Sequence, residues 1–447
     1  MEPVPERLRV FGFLDSGLLW VSLGLSLLVL VAGTYLVPAL SLPKALLAIV
    51  VGGLVGNAML AAAGLIGADA RVPAMVLMRA PLGRRGSYLA TVLNVAQNLG
   101  WTIFELIVIA TAANALSKHA FGFDHLRLWT VAAAGITTAL ALLGPIGFVR
   151  QWVRRFAIWV VLASLGYLTW WSLAHANLHE LWHRPGKGGL TFWQGVDLMV
   201  AMPASWLPLA ADYTRFSSGR GRAFWGTGVG YLLPSVWLYA LGAVLLLSRG
   251  VSDAPSLLQA IAGGGAASAI ALVALGVDET KEPFANVYST AVSLQNLLPR
   301  VPQRLLILLA AGGSTVAALR IDLTHYQSFL LLLGSFFVPL FGVLLGHWLL
   351  AGAHYARRHV FEAPALRAEL LGAWLSGFCL YQWLQPTGPH WWMSLVDRTH
   401  AGTTVGASLP SFGLAFGLTL LFGVLPSALQ WRRAPARSRR EPLARPR

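Results

Sequence analysis

The run Asp278-Glu279-Thr280-Lys281-Glu282 puts four ionisable side chains into five residues, within a stretch without other charged residues that otherwise reads as membrane-buried, from Ala266 to Gly276 and again from Ala285 to Leu298. Ionisable groups at membrane depth are costly unless paired or wetted, and a chain that keeps four of them there uses them. Lys281 lies three residues after Asp278, and Glu282 four after it, so one helical face can carry acid, base and acid. Glu279, Glu282 and Asn286 fall on a neighbouring face, and Pro283 is expected to kink the helix between them. Three carboxylates against one ammonium leave an excess of negative charge that does not persist dry and fully ionised, which suits a group that takes up and releases a proton. The other reading of the same spacing is a static ion pair that locks the helix.

A second constellation is Gly100-Trp101-Thr102-Ile103-Phe104-Glu105. Residues four apart share a helical face, so the Trp101 indole and the Glu105 carboxylate point the same way, with Glu105 near the middle of its apolar block. A flat ring stacked on Trp101 can donate its amino or ring N–H groups to Glu105, which suits an aminopyrimidine or nucleobase. The alternative is ordinary packing of Trp101, with Glu105 paired to another helix.

The elements that must position these groups are transmembrane helices. Hydrophobic residues make up 56% of the chain and charged ones only 11%, far below the charge content of an ordinary soluble domain. Apolar blocks of helical length fall near 14–37, 43–67, 88–115, 127–146, 156–175, 192–212, 224–248, 265–297, 304–320, 323–350, 367–385 and 409–430. Twelve spans of an all-α polytopic membrane protein are therefore expected. The formal charge of +15 points away from nucleic acid, because most Lys and Arg residues lie in alternate loops. With the N-terminus inside, the cytosolic segments hold Arg7 and Arg9, Arg71 to Arg85, Arg150 to Arg155, Arg215 to Arg222, Arg300 and Arg304, Arg357 to Arg367, and the basic tail 431–447. The positive-inside rule then puts both termini in the cytosol of a cell (inner) membrane, with anionic lipid as a partner for the tail.

Two spans carry breaks. The first contains Ser22-Leu23-Gly24-Leu25-Ser26, and the sixth contains Met202-Pro203-Ala204-Ser205-Trp206-Leu207-Pro208, whose prolines remove backbone donors. Broken helices survive at membrane depth where they line a cavity or are covered by protein. Breaks five spans apart suggest two inverted five-helix repeats with a site between them. The single Cys379 permits no intrachain disulfide. His175, His179 and His183 share a helical face, but without a Cys or acid set they read as interfacial rather than metal-binding. No cofactor motif and no nucleophile–base set is recognisable, so an enzyme is not expected.

The run Ser205-Trp206-Leu207-Pro208-Leu209-Ala210-Ala211-Asp212-Tyr213-Thr214-Arg215-Phe216 resembles the inner end of the sixth helix in the nucleobase:cation symporter family, of the cytosine and hydroxymethylpyrimidine permease type. Gly86-Ser87-Tyr88, Gly100-Trp101 with Glu105, and Asn286-Val287-Tyr288-Ser289 match in order and spacing, so the resemblance covers roughly residues 5–350. It implies a leucine-transporter-like core over 14–350, with repeats over 14–175 and 192–350, two further helices over 351–430, and short cytosolic tails at 1–13 and 431–447. It also implies ring contacts from Trp101, Glu105 and Asn286, and from the sixth-helix break at Met202, Pro203 or Trp206. Counting back from Asp212, the usual aromatic position falls on Pro203, which leaves a two-sided aromatic sandwich open.

The chain departs from sodium-coupled members in the eighth helix. Where those carry a Ser/Thr pair that ligates sodium beside the first-helix break at Gly24, this chain has Thr280 and Lys281. An ammonium there repels sodium and can occupy its place. The expectation is a secondary transporter importing a nucleobase-like or aminopyrimidine ring, cytosine or hydroxymethylpyrimidine, coupled to protons, with Asp278, Glu279, Thr280, Lys281, Glu282 and Gly24 as the ion-coupling set. The alternatives are a sodium-coupled purine, allantoin or hydantoin permease, or a channel or sensor on the same fold.

Overall fold

The computed structural model describes residues 2–143, 158–298, 300–399 and 404–424, and within these the secondary structure is helical apart from one isolated bridge between Phe11 and Ser217. The main helices are α1 (Phe13–Gly24), α2 (Leu27–Thr34), α3 (Leu42–Ala70), α4 (Arg79–Phe121), α5 (Leu126–Leu143), α6 (Ile158–Ala174), α7 (Phe192–Ser205) and α8 (Ala210–Thr214). They continue with α9 (Arg220–Arg249), α10 (Ala254–Ala262), α11 (Ala266–Glu279), α12 (Lys281–Leu297), α13 (Gln303–Ala318), α14 (Tyr326–Leu350), α15 (Ala368–Leu384) and α16 (Ser408–Val424). These helices fall on the twelve apolar blocks of the sequence. Among the described residues five of them are long and apolar enough to cross a membrane unaided, and α1 with α2 forms a sixth, bent span. The other expected spans are shorter or interrupted. The arginines expected at 150–155 and the basic tail 431–447 lie outside the described residues.

Among the described residues, three spans are broken near their middle, each for a local reason. Between α1 and α2 the axis bends by 58°, and Ser26 in an extended conformation caps the new helix by accepting from the Leu28 N–H at 3.1 Å. After α7, Trp206 and Leu207 donate to carbonyls only three residues back, at 3.2 and 3.1 Å, and Pro208 has no N–H with which to continue the helix. The third break falls at Thr280, because Pro283 cannot supply the N–H that would bond the Glu279 carbonyl. The kink expected from Pro283 is thus present, one turn before the proline itself.

Packing divides the core into two groups of helices. In the first, α3 packs along α7, α8 and α9, while α1 and α2 pack on α9. Small residues permit this: a Cβ on Gly56 would come within 2.4 Å of the Pro203 ring and one on Gly52 within 2.6 Å of Met199, a small-xxx-small contact. In the second group, α4 packs on α5, α11, α12 and α13. α14, α15 and α16 form a further layer against α7 and α4. At one end of the molecule the buried Asp69 ties three elements together, accepting from Arg220, from Trp348 Nε1 at 2.9 Å, from the Tyr355 N–H at 2.8 Å and contacting His354 Nδ1 at 2.7 Å.

Candidate functional site

The two helix groups meet at the breaks, and a cavity lies there. It holds about 400 Å³ of atom-free space, part of it open to solvent, and is lined by Leu23, Ser26, Leu28, Val29, Met202, Ser205, Trp206, Leu209 and Tyr231 from the first group and by Trp101, Glu105, Glu282 and Asn286 from the second.

On the second group's side, α4 supplies Trp101 and Glu105 from one face, as their spacing requires. Trp101 is held edge-on by Phe329 and Tyr326, with ring centres 5.4 and 6.0 Å away. Glu105 is 4% exposed, and Asn286 Nδ2 donates to both of its oxygens at 3.0 and 3.1 Å. That bond fixes the register of α12 against α4 and leaves lone pairs of the carboxylate for other donors. Glu282, one turn before Asn286, is also 4% exposed, and its Oε1 has no hydrogen-bond partner among the described residues.

On the first group's side stand Trp206 and Tyr231, joined by a 3.0 Å bond from the indole Nε1 to the phenolic oxygen, with Trp20 edge-on to both. The register count that assigned the aromatic position to Pro203 is corrected here. Pro203 does not line the cavity; it packs on Gly56, whereas Trp206, after the turns that follow Ser205, lines the same cavity as Trp101. Met202 lines the cavity as expected. Tyr231 was not anticipated from the sequence, and the aromatic-rich run from Trp225 to Tyr239 around Pro234 is the weak signal that marks its helix.

The charged run of the eighth span divides between two duties. Glu279, 1% exposed, reaches across to the first-span break, where Ser26 Oγ and the Leu27 N–H each donate to its carboxylate at 2.7 Å. It thereby sits on the positive end of α2. Lys281 Nζ donates to the Ser22 carbonyl at 2.9 Å and to Asp278 Oδ2 at 2.5 Å, with Ser22 Oγ at 3.3 Å. That carbonyl is among those freed at the C-terminal end of α1. An anion thus covers one pole of the break and a cation the other. Both come from the opposite helix group.

Two expected members of the ion-coupling set stand apart from this arrangement. Thr280 turns its hydroxyl back to the Val277 carbonyl at 2.7 Å. Gly24 makes a packing contact: a Cβ there would lie 2.6 Å from the Pro234 ring on α9. Of the three histidines, His179 and His183 bring their ring centres to 4.5 Å, while His175 and His183 each bond the carbonyl four residues back at 2.9 and 2.8 Å.

Comparison with known proteins bears on this geometry. The family model for permeases for cytosine/purines, uracil, thiamine and allantoin matches residues 3–363. The chain belongs to this family. A hydantoin permease of Microbacterium maritypicum is 24% identical over 302 residues, an alignment that covers 62% of this chain and 60% of that relative's length. Among solved structures, the nucleobase-cation-symport-1 transporter Mhp1 in a closed conformation with bromovinylhydantoin bound superposes with a TM-score of 0.75 at 19% identity, over 96% of this chain and 94% of the other. The inward-facing conformation of Mhp1 gives 0.78 at 18% identity, over 96% and 92%. MhsT in complex with L-phenylalanine gives 0.58 at 12% identity, over 90% and 98%. The permease therefore has the leucine-transporter-like fold that the family resemblance implied, as a multi-pass membrane protein.

Proposed function

We propose that this permease is a secondary active transporter that imports a nucleobase-like or aminopyrimidine ring, of the cytosine or hydroxymethylpyrimidine kind, without sodium and in response to a proton gradient. The observation that carries the reading is the Lys281 ammonium, 2.9 Å from the Ser22 carbonyl at the first-span break. A cation already covalently attached there leaves a second one both unneeded and repelled. The ring stacks between Trp101 and Trp206, and Glu105, oriented by Asn286, accepts its donor edge. Asp278, Glu279, Lys281 and Glu282 form the coupling set. The two helix groups slide or tilt against each other to open the cavity to either side, with repeats over 14–175 and 192–350 and both termini in the cytosol of the cell membrane.

Uptake into proteoliposomes tests this. Accumulation should proceed in sodium-free buffer and rise when the outside is made acid. Strict dependence on sodium, with no response to a pH gradient, reduces Lys281 to a structural partner and overturns the proposal. The 24% identity to a hydantoin permease favours hydantoins as the second ring class to try in the same assay.

A further inference from the structure

Glu282 takes no part in the hydrogen bonds by which the rest of its charged run holds the first-span break. Asp278 pairs with Lys281, Lys281 with Ser22, and Glu279 with Ser26 and the Leu27 N–H. Glu282 instead lines the cavity with an unpartnered, buried carboxylate oxygen, alongside the second carboxylate of Glu105. No Lys, Arg or His lines that cavity among the described residues. Two carboxyl groups in a confined, largely apolar space cannot both stay ionised unless positive charge comes between them; the lining supplies none, Lys281 next to Glu282 is engaged by Asp278 and Ser22, and a cationic ligand lets both carboxylates keep their charge. The walls add a further preference of the same sign, because the faces of Trp101 and Trp206 attract a cation.

We propose that Glu282 is a second recognition group and that the site takes its ring as a heteroaromatic cation, either protonated on a ring nitrogen or quaternised. The proposal rests on the ring-binding reading above and specifies its ligand. Glu105 accepts from the exocyclic amine while Glu282 faces the positively charged ring edge, with a charge-assisted hydrogen bond where that edge carries an N–H. A ring that enters protonated and is released neutral inside carries the proton itself, with Glu282 as the member of the coupling set that faces it.

The test uses the full chain in lipid nanodiscs and two probes of nearly equal shape, a neutral 4-aminopyrimidine and its ring-N-methylated, permanently cationic counterpart. Binding is followed by ligand-induced thermal shift and by tryptophan fluorescence at a pH where the first probe is neutral. The cation should bind at least about tenfold more tightly than the neutral ring. Glu282→Gln, which keeps the shape, should weaken the cation by about tenfold or more while changing the neutral ring by less than about threefold. Glu282→Asp should restore part of the cation preference, which separates a charge effect from a packing defect. Equal affinity of the parent for both probes, or an equal loss for both in Glu282→Gln, overturns the inference and leaves ring binding intact. Failure of the folded parent to bind either probe, or any nucleobase-like ring, overturns the ring reading itself.

Discussion

Replacing Lys281 by methionine removes one charge from a contact that can be assessed atom by atom. The Lys281 and Asp278 side chains are 14% and 8% exposed and lie 2.5 Å apart, so the pair is largely out of water. Removing one partner of such a pair typically costs about 3–5 kcal/mol, because the remaining charge stays buried without compensation. Freeing the Ser22 carbonyl adds the penalty of an unmet acceptor, about 1–3 kcal/mol when no water replaces the ammonium. The residual exposure of Lys281 brings the total toward the lower end, so Lys281→Met should destabilise by about 3 kcal/mol in equilibrium unfolding in mixed micelles. Adding Asp278→Leu removes the stranded carboxylate, and the double variant should recover most of that loss, since an apolar replacement of a buried pair is often neutral or stabilising. Both variants should fail to accumulate substrate, because α1 has lost its cation. A single variant within about 1 kcal/mol of the parent, or a double variant no more stable than the single, would refute the view that this pair is dry and coupled to the break.

Glu105→Ala should cost about 1.5–3 kcal/mol in binding of amino-substituted rings, the usual worth of a hydrogen bond to a charged group, read by isothermal titration on protein that still folds. Trp101→Ala should weaken all rings by about 1–3 kcal/mol with little discrimination among them, as loss of a stacking surface does, and competition binding over a ring panel checks this. Gly242→Ala should destabilise by about 1–3 kcal/mol through overpacking, because its Cβ would lie 2.0 Å from the Leu30 carbonyl oxygen; a thermal melt against the parent is the measurement. Asp253 caps α10 outside the membrane spans, and its hydrogen bonds from the Ser256 hydroxyl and N–H hold its carboxyl below the usual range. Its stabilisation is therefore fully present above the unfolded carboxyl value of about 3.9 and is lost as pH falls through and below it, so the acid sensitivity of the melt below about pH 4 should diminish in Asp253→Ala, which loses about 1 kcal/mol at neutral pH.

Much of this molecule is legible in the chain because long apolar blocks admit few arrangements in lipid. The i, i+3 spacing of Asp278 and Lys281 fixed their pairing, and Trp101 with Glu105 share a face for the same reason. The division of labour between Glu279 and Glu282 was not legible. Regular helical spacing puts both beside Asn286, but the turn at Thr280 rotates Glu279 into the break and leaves Glu282 in the cavity with Asn286. The count back from Asp212 fell on Pro203 rather than on Trp206 for a like reason, since three-residue turns do not advance at the helical rate. Tyr231 and the Asp69 contacts join segments far apart in sequence, and no local pattern encodes which distant segment arrives.

The ammonium at the first-span break has a consequence for how occupancy responds to the bathing solution. A dissolved ion fills such a position according to its concentration on whichever side is open, and leaves when that side is dilute. Lys281 is tied to the same polypeptide as Ser22, so it meets that carbonyl at an effective concentration that salt in solution does not reach. Its occupancy is therefore the same in dilute and concentrated salt, with or without bound substrate, for as long as the two helix groups remain in contact. An ion that cannot depart also delivers no free energy by departing. While that contact holds, the break stays in its filled form, and under the proposed function the work of accumulation comes from whatever crosses the membrane with the substrate.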